Sequence, residues 1–335
     1  MNQKRLVLAI SPLIALLSSF ILCGKNATYK SFLIAARIIE TAVQGLSFEA
    51  LHELTRYLSP DRVLEKAHRF SEENVLKLMS EGIKKLPLPK RVIAALDFHD
   101  KEYYGDKRHK QTVGGKGGKY VQRFLELSLV KPVRFISALM VDQFMNNKVK
   151  LITQLLDGFS AFYEQTKIEL LLLDRGFFTK AVVQLLAERK QRFIMPAVRN
   201  RAIKPMVEAC MMLKENTTIE YRFGKVDVYL VFVRIDDEVL VYMTNTRYSP
   251  LQVHLLYKKR WQIETNFREQ NQFMFRTTTR NFVVRYLAFA IAGLLFNAWQ
   301  LQRTQWNEVR GYVFRKRLEN ALRFCWLPFI NRERG

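Results

Sequence analysis

Residues 168–178 read IELLLLDRGFF. An apolar run of this length, closed by an acid, is what a strand buried on both faces leaves in a sequence. Such strands belong to sheets covered by helices on either side. A helix is expected next, over 178–190, and a second strand, RFIMPAV, at 192–198. Together they make a βαβ unit. Upstream, RVIAALDF (91–98), RFLELSLV (123–130) and VRFISALMV (133–141) have strand length and strand composition. Pro132 marks the turn of a hairpin between the last two. A helical stretch is expected over about 147–165. Hairpins first and parallel crossovers later predict a mixed α/β sheet flanked by helices.

Outside this centre the texture changes. Residues 1–88 read as a helical N-terminal region, with Ser59 as an N-cap, Pro60 at the first helical position and Asp61 in the first turn of one helix. PLPK (87–90) is a linker. Three alternating segments within 199–247, TIEYRFG, DVYLVFVRI and EVLVYMTN, read as a small β-rich insertion. VRYLAFAIAGLLFNAWQLQ (284–302) is expected to be a buried core helix, and 311–335 a basic tail.

The chain has 335 residues, with 54 Lys and Arg against 31 Asp and Glu, a net charge of +23. A surplus of that size favours a polyanionic partner. Nucleic acid comes first, an anionic membrane surface second, and a generally basic soluble protein is the bland alternative. Cys23, Cys210 and Cys325 are too few and too scattered for a disulfide framework or a zinc site, which fits a reducing compartment, and all three are expected to be small buried hydrophobes. Residues 6–24 carry no charge and follow Lys4 and Arg5. They read as a signal peptide, a short membrane span or a buried helix of an N-terminal bundle. Pro12 and three serines interrupt the run, and the sequence leaves the choice open.

Two strands of the sheet end in an acid: Asp97 after VIAAL and Asp174 after LLLL. Ligands of α/β sheets bind where strand ends converge. Two carboxylates brought together there repel unless a cation lies between them, and Mg²⁺ with its preference for oxygen ligands is the natural candidate. A third acid comes from LLYKKRWQIETNFREQN (255–271), which reads as one helix. Tyr257, Arg260, Glu264 and Arg268 recur every three or four residues, so they share a face, with Trp261 and Phe267 on the packing side. The bland readings are turn-forming aspartates and a surface Arg260–Glu264 pair. Asp100 is an alternative first acid, and His99 is expected to make a loop hydrogen bond. GGKGGK (114–119) lacks the phosphate-loop spacing and reads as a flexible loop, with Lys116 and Lys119 as nonspecific DNA contacts.

In this setting the chain resembles the DDE transposases of insertion sequences, in the insertion-sequence-4-like group. Their helix signature is Tyr, two residues, Arg, three residues, Glu, six residues, Lys. Tyr257, Arg260 and Glu264 fit it, and Asn271 stands at the Lys position. DRGF (174–177) and YYGD (103–106) are also similar to the family, and the likeness covers about 91–302. The resemblance implies a ribonuclease-H-like catalytic domain over 91–310, interrupted by the insertion at 199–247. It makes Asp97, Asp174 and Glu264 the catalytic residues and the ligands of two Mg²⁺ or Mn²⁺ ions. Tyr257, Arg260 and Arg268, helped by Arg276 and Arg280, would contact DNA. Residues 1–88 would bind the element's ends. The implied function is metal-dependent cleavage and strand transfer by a homodimer acting on terminal inverted repeats and target DNA, in the cytoplasm at the nucleoid. The alternatives are a DNA-binding remnant that no longer cuts, suggested by Asn271, and a membrane-associated basic protein.

Overall fold

A computed structural model describes residues 3–24, 30–84, 86–105, 112–141, 147–306 and 310–330. Asp106 of YYGD lies outside the described residues. In chain order, five helices come first: α1 (Gln3–Ser19), α2 (Ser31–Gln44), α3 (Phe48–Thr55), α4 (Pro60–His68) and α5 (Glu72–Ile83). Four strands follow: β1 (Arg91–Glu102), β2 (Val113–Gly114), β3 (Tyr120–Lys131) and β4 (Phe135–Val141). Next are α6 (Lys148–Phe162), β5 (Lys167–Leu173), α7 (Lys180–Glu188), β6 (Phe193–Pro196) and α8 (Lys204–Leu213). The chain continues with β7 (Thr217–Phe223), β8 (Val226–Ile235), β9 (Glu238–Thr244), α9 (Pro250–Lys258) and α10 (Trp261–Gln270). It closes with α11 (Phe282–Trp306) and α12 (Gly311–Ile330).

Two compact units result. One comprises Met1–Leu86, Tyr104–Lys107 and Phe267–Gly335, the other Pro87–Tyr103 and Arg108–Asn266. The second holds the sheet, in the order β2-β3-β1-β5-β6-β9-β8-β7, with β4 also paired to β3. β1, β5 and β6 run parallel, and every other pairing is antiparallel. The mixed α/β sheet expected from the sequence is therefore present, with β5–α7–β6 as the crossover unit and β3–β4 as the hairpin. Its centre is apolar by composition: Leu170 to Leu173 and Ala94 to Leu96 are all buried. The three alternating segments are β7, β8 and β9. They extend the same sheet, because β9 pairs with β6 through Ile194↔Thr244.

The first unit is helical. Ile10, Ile14, Leu17 and Ile21 are buried, at spacings of four, three and four, so one face of α1 and the turn after it is apolar. That face packs on α2, α5 and α12, which makes Ile10, Ile14, Leu17 and Ile21 part of the unit's core. Among the described residues the apolar helical stretch of α1, Ile10–Ser19, is shorter than a membrane span requires. Phe282–Arg303 in α11 is long and apolar enough to cross a membrane, but it is mostly buried within the protein, against α2, α4 and α5. Gly82 of α5 makes this approach possible, since a Cβ there would lie 2.5 Å from Leu294 Cδ2. Ser59 stands at the N-cap of α4 as expected but makes no side-chain capping bond, whereas Ser47 and Ser71 cap α3 and α5. Of the cysteines, Cys210 is buried and Cys23 half-buried, and the side chain of Cys325 lies outside the described residues.

Candidate active site

The parallel pairing of β1 and β5 ends at Leu96↔Leu173. The next residue on each strand is an acid, so Asp97 and Asp174 emerge side by side, on backbones about 4.8 Å apart. Beyond Asp174 the chain turns at once into a 3₁₀ turn, Arg175–Phe177. Asp174 Oδ2 caps that turn by accepting from the Gly176 amide at 3.2 Å. Lys148 Nζ donates to the Gly176 carbonyl at 2.7 Å, and Phe177 stacks on Phe98 at 5.1 Å. Gly176 lies inside this turn. A Cβ there would meet Asp174 Oδ2 at an ordinary 3.7 Å, so local sterics do not require the glycine.

The stretch 255–271 departs from a single helix. Between α9 and α10 the amides of Lys259, Arg260, Gln262 and Ile263 each bond to the carbonyl three residues back, a tighter turn than the α-helix. Arg260 is buried at this break. Its Nη1 donates to Asp97 Oδ2 and its Nη2 to Glu264 Oε1, each at 2.8 Å. Trp261, expected on the packing side, is 63% exposed, and Ile263 and Asn266 are buried instead. Asn266 Oδ1 accepts from Arg134 Nε and Nη2 at 3.1 and 2.7 Å, which ties α10 to the β3–β4 turn. Tyr257 is buried against Tyr242 at 5.1 Å, with the Arg260 guanidinium 5.7 Å from its ring. Tyr242 in turn shares a hydrogen bond of 2.9 Å with His254 Nδ1.

Thus Asp97, Asp174, Tyr257, Arg260 and Glu264 are brought together. Arg260, expected at a phosphate, is engaged by carboxylates. The Asp97 carboxyl is pushed up to about 6, first by burial, then by the neighbouring charges of Asp174 and Glu264. Arg260 and the Phe98 amide oppose that rise without cancelling it. Asp100 faces away from Asp97, on the other side of β1, and forms a two-pronged ion pair with Arg123 at 2.6 and 2.7 Å. His99 is buried on β1, and burial lowers its pKa, with Lys101 adding to the effect.

The remaining expected contacts lie elsewhere. Arg268, Arg276 and Arg280 are exposed and belong to the helical unit, as does exposed Asn271 in the 3₁₀ turn Asn271–Phe273. Lys119 is exposed and ion-paired with Glu102. The side chain of Lys116 lies outside the described residues. One group escaped the sequence reading altogether. Glu126 of β3 is fully buried and stands opposite Asp97 in the ladder. The signal was a lone acid in the apolar run RFLELSLV.

Could these residues hold a metal? Among the described residues no three acids, histidines or cysteines form a ready ligand group, and the Arg260 guanidinium supplies the positive charge between Asp97 and Glu264. The donor chemistry nevertheless fits: three carboxylates, one of them half-buried and crowded by the other two, suit a hard divalent cation.

The profile of the Transposase DDE domain family matches residues 89–296, a span that includes Asp97, Asp174 and Glu264. No curated protein matches the chain. Transposases of this family process DNA and generally use divalent metal ions. The match covers more than half of the sequence, and the protein belongs to the transposase DDE-domain family.

Proposed function

We propose that this protein is the transposase of an insertion sequence of the insertion-sequence-4-like group, cutting its element's ends and joining them to target DNA. The observation that carries the reading is the Leu96↔Leu173 pairing, which sets Asp97 beside Asp174, with Glu264 linked to Asp97 through Arg260. Asp97, Asp174 and Glu264 would hold two Mg²⁺ or Mn²⁺ ions. Such ions, when bound, polarise the phosphate and lower the pKa of the attacking water or 3′-hydroxyl. The chain's own residues do the rest. Asp97, with a carboxyl near 6, is largely ionised at pH 7 to 8 and ready to act as a ligand. Arg260 keeps Asp97 and Glu264 together, and its planar fork also suits a phosphate. The +23 charge, with Arg268, Arg276, Arg280, Lys116 and Lys119 contributing, holds the DNA backbone. Residues 1–88 bind the terminal inverted repeats, and 91–310 carry the chemistry. Joining two ends calls for a homodimer, and the substrate places the protein at the nucleoid.

The test is strand nicking on element-end DNA with Mg²⁺ or Mn²⁺. Wild type should nick, and Asp174→Ala and Glu264→Ala should lose at least a hundredfold in rate, as loss of electrostatic stabilisation at a reacting phosphate predicts. Asn271 in place of the signature Lys favours a second reading, a DNA-binding remnant. Wild-type protein that binds element ends but cuts them with neither metal would establish that reading and reject the first.

A further inference from the structure

We propose that Glu126 is a fourth carboxylate of the divalent-ion site, adding negative charge and an acceptor oxygen beside Asp97. This rests on the reading of Asp97 as a metal ligand. In the antiparallel β1–β3 ladder Asp97 lies directly opposite Glu126. Directly opposed residues point to the same face, with Cβ atoms about 4.5–5.5 Å apart, and like charges in that position weaken a sheet. Glu126 is 0% exposed. One of its oxygens accepts from the Ser128 hydroxyl, and the other, Oε2, is buried without a hydrogen-bond partner. Four residues back along β3 and beyond the His99↔Phe124 pair, Gln122 stands opposite Lys101, fully buried, with both side-chain polar atoms unpartnered.

Packing alone does not account for this. Leu125 and Leu127, the chain neighbours of Glu126, fill the other face of β3 with hydrocarbon. An acid kept buried with one oxygen unbonded is costly unless a ligand completes its set. Lys101 attracts Glu126 but leaves Oε2 without a hydrogen bond. A cation held at Asp97 would meet both needs. It would neutralise the opposed acids, and the waters of its shell would reach Oε2. Glu126 thus acts as a positioning residue for the ion.

The experiment is Mn²⁺ binding, followed by electron paramagnetic resonance on the full-length chain, with urea unfolding in chelator alongside. Glu126→Gln should bind Mn²⁺ about tenfold or more weakly, as loss of outer-shell partners does. Its metal-free unfolding midpoint should stay equal or rise, because the amide keeps an oxygen for the Ser128 hydroxyl and cannot ionise inside the sheet. A purely structural role gives the opposite pattern, a lower midpoint with unchanged affinity. Equal binding by wild type and Glu126→Gln, with binding lost in Asp97→Asn, overturns the role of Glu126 and leaves the metal reading intact. Failure of wild type to bind Mn²⁺, or wild-type binding by Asp97→Asn, rejects the metal reading itself. Should Glu126→Gln not fold, Glu126→Asp keeps the charge and withdraws the oxygen. An unchanged Mn²⁺ affinity in that variant overturns the proposal.

Discussion

Replacing Asp97 by Asn should make the metal-free protein more stable. The carboxyl is raised from 3.8 to about 6 because burial disfavours its charge and Asp174 and Glu264 repel it. Between those two values the folded protein holds more of the proton than the unfolded chain does. Stability therefore falls as pH rises across the window and levels off above it. A shift of about two units, at 1.36 kcal/mol each, is roughly 3 kcal/mol at pH 8. The attraction to Arg260 is already contained in that figure, and the Asp97 side chain is only 18% exposed, so solvent screening removes little of it. Asn mimics the protonated acid in shape and keeps an oxygen for Arg260. Urea unfolding in chelator should show Asp97→Asn ahead of wild type by about 3 kcal/mol at pH 8, with the lead gone below pH 4. Saturating Mn²⁺ should cancel most of the lead, since a ligand at a hundred times its Kd stabilises wild type by about 2.7 kcal/mol. Equal stability of the two proteins at pH 8, or the same difference at pH 4 and pH 8, would refute the reasoning.

Three further predictions follow from particular contacts. Arg260→Ala should destabilise the metal-free protein by about 3 kcal/mol at pH 8. Most of that comes from the contact with Asp97, because the Glu264 side chain is 42% exposed and its share is screened. The loss should shrink at pH 5, where Asp97 takes up its proton, and Arg260→Lys should not restore it, since one ammonium cannot span both acids as the fork does. Gly82→Ala should lower stability by about 1–3 kcal/mol through overpacking against Leu294, seen as a lower unfolding midpoint. Ser249→Ala removes the capping box that Ser249 and Gln252 form at the start of α9 and should cost about 1 kcal/mol by urea unfolding.

Much of the fold was legible because burial leaves a direct trace in composition. LLLL before Asp174 and VIAAL before Asp97 read as strands, and the acids mark where those strands leave the core. The helical character of the first 88 residues was legible, but for 6–24 the choice between a buried helix and a membrane-directed segment was not. A continuous helix over 255–271 was the natural reading of its periodicity. The break at Lys259 and Arg260 is a change of pitch that costs one turn its α-type bonds, and no residue there announces it. Trp261 misled for a related reason: its hydrophobicity suggested packing, and the break turns it out to solvent.

What the sequence determined alone is local: which segments are strands or helices, where each buried strand ends, and that an acid stands at two of those ends. Tertiary structure decided which ends meet. The register Leu96↔Leu173, the placing of Glu126 across from Asp97 and the grip of Arg260 on two acids all join residues far apart along the chain. Register has a period of two residues, so a slip of one position would turn Glu126 to the opposite face without altering any local preference. Alternation along a strand says that two faces differ. Pairing with the neighbouring strand selects the side chains that share a face with the reacting acid.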